Sequence, residues 1–81
     1  MLHATPTLTE REVTIVGLIA NGRSNKSIGK SLAIELGTVK AHVTTIKRKL
    51  GARNRAHVAG LGVQDLGIHV VPVGMSDEER P

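Results

Sequence analysis

Histidine, serine and carboxylate side chains are the first candidates for chemistry in this chain, and their spacing sets most of that chemistry aside. The four histidines, His3, His42, His57 and His69, make no metal-ligand pattern, and with no cysteine in the chain no thiolate completes one. No Ser or Asp pairs with a His at a spacing that suggests a nucleophile and its base. The reading therefore assigns no catalytic residue, no metal, no cofactor and no enzymatic activity. What remains is cationic. Between Arg23 and Arg55 lie Arg23, Lys26, Lys30, Lys40, Lys47, Arg48, Lys49, Arg53 and Arg55, against one acid, Glu35. The other acids gather toward the ends, as Glu10 and Glu12 and then Asp65, Asp77, Glu78 and Glu79. A basic middle between acidic ends suits a polyanionic partner, and it equally describes a solvated basic face.

These cations need a scaffold. Eighty-one residues make one domain, and without Phe, Tyr or Trp its core must be filled by Leu, Ile, Val and Ala, which suit helix-on-helix packing. Thr9 and Glu12 have the spacing of a capping box, with Leu8 and Val13 placed as a hydrophobic staple around it. Ile15, Val16, Ile19 and Ala20 continue at helical period until Asn21-Gly22 ends the helix. Ser24 caps a second, short helix to about Leu32, with Ile28 and Leu32 inward. Gly29 falls inside it, where Ala would be favoured by up to about 1 kcal/mol given room for the methyl.

The most informative stretch is 37–50. At about 100° per residue, Val43, Ile46 and Leu50 fall within about 40° of Val39, a narrow apolar stripe. Lys40, Ala41, Thr44, Lys47 and Arg48 spread over the far side, and Thr38, His42, Thr45 and Lys49 occupy one flank. Small residues between the charges let such a helix approach another surface closely. Gly51 ends it, and a fourth helix spans about Asn54 to Leu66, with Val58, Leu61 and Val63 or Leu66 apolar. The fold class is all-α, a compact four-helix domain. A short helix, a tight turn and a second helix with a basic outer face make a helix-turn-helix, whose second helix fits the DNA major groove.

The run from Leu8 to about Ala56 resembles the DNA-binding domain of LuxR/GerE-type transcription regulators. The matching segments are Leu-Thr-x-Arg-Glu at 8–12, Gly-x-Ser-Asn-Lys at 22–26, Ile28, Leu32, Gly-Thr-Val-Lys-x-His at 37–42, Ile46, Lys-Leu-Gly at 49–51 and Asn-Arg at 54–55. The resemblance implies a bacterial, cytoplasmic regulator of transcription that reads duplex DNA through the third helix. Carried over by position, it makes Lys40, Ala41 and Thr44 base-reading residues. Asn25, Thr38, His42 and Lys49 become phosphate-holding residues, to which the outer Lys47 and Arg48 are added. It also implies a homodimer through the fourth helix, at Val58, Leu61 and Gly62, and admits RNA polymerase as a partner. The chain departs from the pattern at Glu35, Leu36, Ser27 and Gly29. Glu35 stands where Ser or Thr is usual, and a Glu side chain caps a helix poorly.

The expected organisation is a flexible arm over 1–7, the DNA-binding domain over 8–67 and a largely disordered tail over 68–81. No sensor domain fits before Leu8, so the chain is expected to be either a stand-alone regulator or a fragment of a longer one, the Met1 start and the tail beyond the fourth helix mildly favouring the former. No membrane span and no small-molecule site are expected. Two other readings keep the same fold. One is a protein-binding module serving as an anti-regulator or heterodimer partner, and the other is a module resembling the promoter-reading part of a sigma factor, docked on RNA polymerase.

Overall fold

A computed structural model of the chain describes residues 7–70, which hold four helices and no strand. They are α1 (Glu10–Ala20), α2 (Asn25–Leu32), α3 (Leu36–Leu50) and α4 (Arg55–Asp65). The expected residues 1–6 of the arm and 71–81 of the tail lie outside the described residues.

Each helix begins and ends for a local reason. At α1 the Thr9 hydroxyl accepts the Glu12 N–H at 3.1 Å while the Glu12 carboxylate accepts the Thr9 N–H at 2.8 Å, so the capping box is complete. The Ser24 hydroxyl caps α2 through the Ser27 N–H at 3.1 Å, and the Asn54 side chain caps α4 through the His57 N–H at 2.8 Å. Glu35 caps α3 with its backbone alone and makes no side-chain capping bond. Gly51, in the left-handed conformation at φ 65°, closes α3, with the Ala52 N–H reaching back to the Lys47 carbonyl at 2.9 Å.

The α2–α3 turn uses the same closing device with a less suitable residue. Ala33 is left-handed at φ 57°, and the Ile34 N–H donates to the Gly29 carbonyl at 2.9 Å. That turn folds tightly over Gly29. A methyl there would sit 2.9 Å from the Ile34 carbonyl oxygen, so the room expected for Ala is filled by backbone.

The core is Ile15, Val16, Ile19, Ile28, Val39, Val43, Ile46 and Val58, all aliphatic as the composition requires. The helical stripe Val39, Val43 and Ile46 turns inward, and Leu50 at its end is half-buried against the same cluster. Helices α1 and α4 run antiparallel, with Leu8 and Val13 beside Leu61 and Leu66 at one end and Ile19 beside Ala59 at the other. Gly62 permits their close approach, since a methyl on it would lie 2.6 Å from the Val16 Cγ1. Beyond α4, Gly67 turns the chain at φ 69° and Ile68 packs over Gly17 and Gly62. The Asn21 side chain then donates to the His69 carbonyl at 3.0 Å. The first residues assigned to the tail are thus part of the packed domain.

Candidate nucleic-acid interface

The short α2, the turn at Ala33-Ile34-Glu35 and the longer α3 form the helix-turn-helix unit, braced from behind by α1 and α4. With Val39, Val43 and Ile46 buried, the opposite face of α3 is necessarily outward. Lys40, Ala41, Thr44 and Arg48 are exposed, and Lys47 is partly exposed beside them. Thr38 is exposed at the start of the flank, and His42 is half-buried one turn on. Among the described residues, none of these side chains forms an ion pair or a side-chain hydrogen bond within the protein. The face therefore presents undischarged positive charge around a small-residue line, Gly37, Ala41 and Thr44. An α-helix of 15 residues is about 22 Å long, and its width matches a major groove about 12 Å across.

Two phosphate-holding assignments change in the fold. The Lys49 ammonium lies 2.8 Å from the Glu12 carboxylate and 3.3 Å from the Thr7 carbonyl, the one ion pair among the described residues. Lys49 thus clamps the end of α3 to the start of α1 and is not free for a phosphate. The arrangement has a mirror effect on Glu12, a carboxylate only 5% exposed. The Lys49 hydrogen bond, followed by that from the Thr9 N–H, holds its pKa below the usual 4.5 against the opposing effect of burial. Asn25 is also partly engaged. Its side-chain oxygen accepts from the Arg55 guanidinium at 2.6 Å, leaving its amide nitrogen as the group for an external acceptor.

Arg55 is the residue that sequence reasoning passed over. Besides Asn25 it binds the Arg23 carbonyl at 2.7 Å, so it ties the start of α4 to the start of α2. Its only signal in the sequence is the Asn-Arg pair at 54–55. Arg23 in turn lies along α2, donating to the Ser27 hydroxyl at 2.6 Å and to the Ser31 hydroxyl at 2.8 Å. Three members of the basic run, Arg23, Lys49 and Arg55, are therefore structural fasteners, while the side chains of Lys26, Lys30, Lys40, Lys47 and Arg48 form no ion pair or hydrogen bond within the described residues.

Of the three expected dimer residues, two are buried within the fold. Val58 is 0% exposed and belongs to the core, and Gly62 is buried against Val16. Leu61 is half-buried in an open apolar groove of about 550 Å³, with Thr7, Leu8, Val13, Leu50, Asp65 and Leu66. The three residues chosen for their apolar character thus face the chain's own α1 and the end of α3. The outward side of α4 carries Ala56, Gly60 and Val63, the last 46% exposed. His42 and His57 stand on different helices, and among the described residues no three His, Asp or Glu side chains gather as a metal site.

Comparison with known proteins agrees with this geometry. The transcriptional regulatory protein LiaR of Bacillus subtilis (strain 168) is 48% identical over 52 residues, which are 64% of this chain and 25% of LiaR. The nitrate/nitrite response regulator protein NarP of Escherichia coli (strain K12) is 42% identical over 60 residues, 74% of this chain and 28% of NarP. The transcriptional regulatory protein LnrK of Bacillus subtilis (strain 168) is 44% identical over 52 residues, 64% of this chain and 24% of LnrK. The chain thus spans about a quarter of the length of these relatives. No solved structure gives a significant match. Residues 6–61 match the family described as bacterial regulatory proteins, luxR family, a span that contains the whole helix-turn-helix, and the chain belongs to that family.

Proposed function

We propose that the chain binds duplex DNA sequence-specifically by laying α3 in the major groove, and that it regulates bacterial transcription in this way. The observation that carries the proposal is the outer face of α3, where exposed Lys40, Ala41, Thr44 and Arg48 surround small residues and no acid discharges the cations. Lys40 can donate to the O6 and N7 acceptors of guanine. Thr44 can meet a thymine methyl or donate a hydrogen bond, and Ala41 offers an apolar contact. Thr38, Lys47, Arg48, His42 and the amide of Asn25 border that face and are the phosphate-holding set. Lys49 leaves this set because Glu12 occupies it.

The active form is a homodimer on DNA, since two copies reading a near-palindromic site double the recognised sequence. Its contact is the outer face of α4, Ala56, Gly60 and Val63, in place of the buried Val58 and Gly62. The location is the bacterial cytoplasm, and RNA polymerase at the regulated promoter is the second partner. LiaR and LnrK are transcriptional regulatory proteins, which supports this reading.

Selection from a random duplex pool, followed by titration of the enriched duplex at several salt concentrations, is the test. Each neutralised phosphate contributes a slope of about −0.9 in log affinity against log salt, so several contacts per subunit predict a slope of about −3 or steeper. A pool that enriches no motif, or an affinity indifferent to salt, would contradict the proposal.

A further inference from the structure

Leu36 is out of place for a residue with no partner. It is the first residue of α3, it is 44% exposed, and Glu35 before it contributes no side-chain bond that would cover it. It is absent from the residues that pack against the core, although its neighbours Ile34 and Val39 are among them. Leu36 is not one of the core residues, so its exposed part is available to an external surface.

Its position explains what it can do. Leu36 and Lys40 are four apart on one helix, so Leu36 lies one turn nearer the N-terminus on the same face as the exposed Lys40. On its other side runs the line Gly37, Ala41 and Thr44, whose small side chains let α3 sink toward base edges. The leading turn of such a helix is the part that meets the bases. A branched aliphatic side chain there can neither hold a phosphate nor donate a hydrogen bond. The one apolar group that a base pair presents in the major groove is the thymine C5-methyl.

We infer that Leu36 is a specificity-determining residue that packs on a thymine methyl at the edge of the half-site, next to the base read by Lys40. The inference rests on the DNA-binding reading and adds to it a base identity and a residue. Leu36 is not among the buried core residues, so Leu36→Ala should keep the fold, which circular dichroism and a urea midpoint check.

The experiment uses the duplex enriched by the unaltered protein, resynthesised as a series in which each thymine in turn becomes deoxyuridine, which lacks only the methyl. The unaltered protein should lose about fourfold in affinity at one outer position of each half-site, the worth of one buried methyl-sized group. Leu36→Ala should bind the thymine duplex about fourfold more weakly and be indifferent to deoxyuridine at that position. Thr44→Ser, which removes a different methyl, should keep the sensitivity. If Leu36→Ala retains the full thymine preference at every position, or no thymine matters to the unaltered protein, the inference is overturned. Failure to enrich any duplex is a separate outcome, and it defeats the DNA-binding reading together with this one.

Discussion

Replacing Gly62 with Ala should destabilise the domain, although it removes a glycine from the interior of a helix. Helix propensity alone would favour the change by up to about 1 kcal/mol. Against it stands the added methyl, 2.6 Å from the Val16 Cγ1 and 3.4 Å from the Ile68 Cγ1. Val16 is fully buried, and as a β-branched residue on a helix it has one strongly preferred rotamer, so it cannot swing aside. Overpacking of this kind costs about 1–3 kcal/mol, which leaves a net loss of up to about 2 kcal/mol. Val16→Ala by itself should cost about 2 kcal/mol by opening a cavity. In the double variant the new methyl occupies the space that Val16 gives up. Its loss should therefore fall short of the sum of the single losses by about 1 kcal/mol or more. Urea denaturation of the four proteins measures all of these quantities. Were Gly62→Ala more stable than the unaltered protein, the α1–α4 approach would be refuted, and that side of α4 would again be open to a second copy.

The other glycines should divide by the space around them. Gly60→Ala, with nothing within 4 Å of the new methyl, should stabilise the monomer by up to about 1 kcal/mol, whereas Gly29→Ala should lose stability against the Ile34 carbonyl. Ala33→Gly should gain about 0.5–1 kcal/mol in a denaturant melt, because Ala33 holds a left-handed conformation. The Glu12–Lys49 pair should show in acid. A carboxylate with a lowered pKa contributes stability fully present above its unfolded value near 4.5 and lost as pH falls through the folded value. The penalty of Glu12→Gln at neutral pH should therefore shrink on acidification, and a penalty unchanged down to pH ~3 would contradict the pairing. Lys49→Ala should cost stability while leaving the salt dependence of DNA affinity unchanged; a slope shallower by about 1 would return Lys49 to the phosphate contacts.

Local signals in the sequence carried far. The Thr9–Glu12 box, Ser24, Asn54 and Gly51 act within one turn of themselves, so they set the helix ends whatever the rest of the chain does. The face of α3 was legible for the same reason, since a run of fixed helical period leaves Lys40, Ala41 and Thr44 only one side to occupy once Val39 and Val43 turn inward. What spans distance was not legible. Lys49 and Glu12 are 37 residues apart, and Arg55 and Asn25 are 30 apart, so neither pairing has a local mark. Periodicity shows that Val58, Leu61 and Gly62 share an apolar side, but not whether α1 or a second copy covers it. The space at Gly29 is likewise set by the turn that follows, which propensity does not describe.

If α3 reads bases through its outer face, Lys40 is the residue whose loss must show it. The measurement is the affinity of the unaltered protein and of Lys40→Ala for the selected duplex and for a scrambled duplex of the same composition, at one fixed salt concentration. Base contacts carry sequence information and phosphate contacts do not. Lys40→Ala should lose about 1–3 kcal/mol on the selected duplex and little on the scrambled one. Equal losses on the two duplexes would make Lys40 a phosphate contact, contradicting the placement of α3 on the bases.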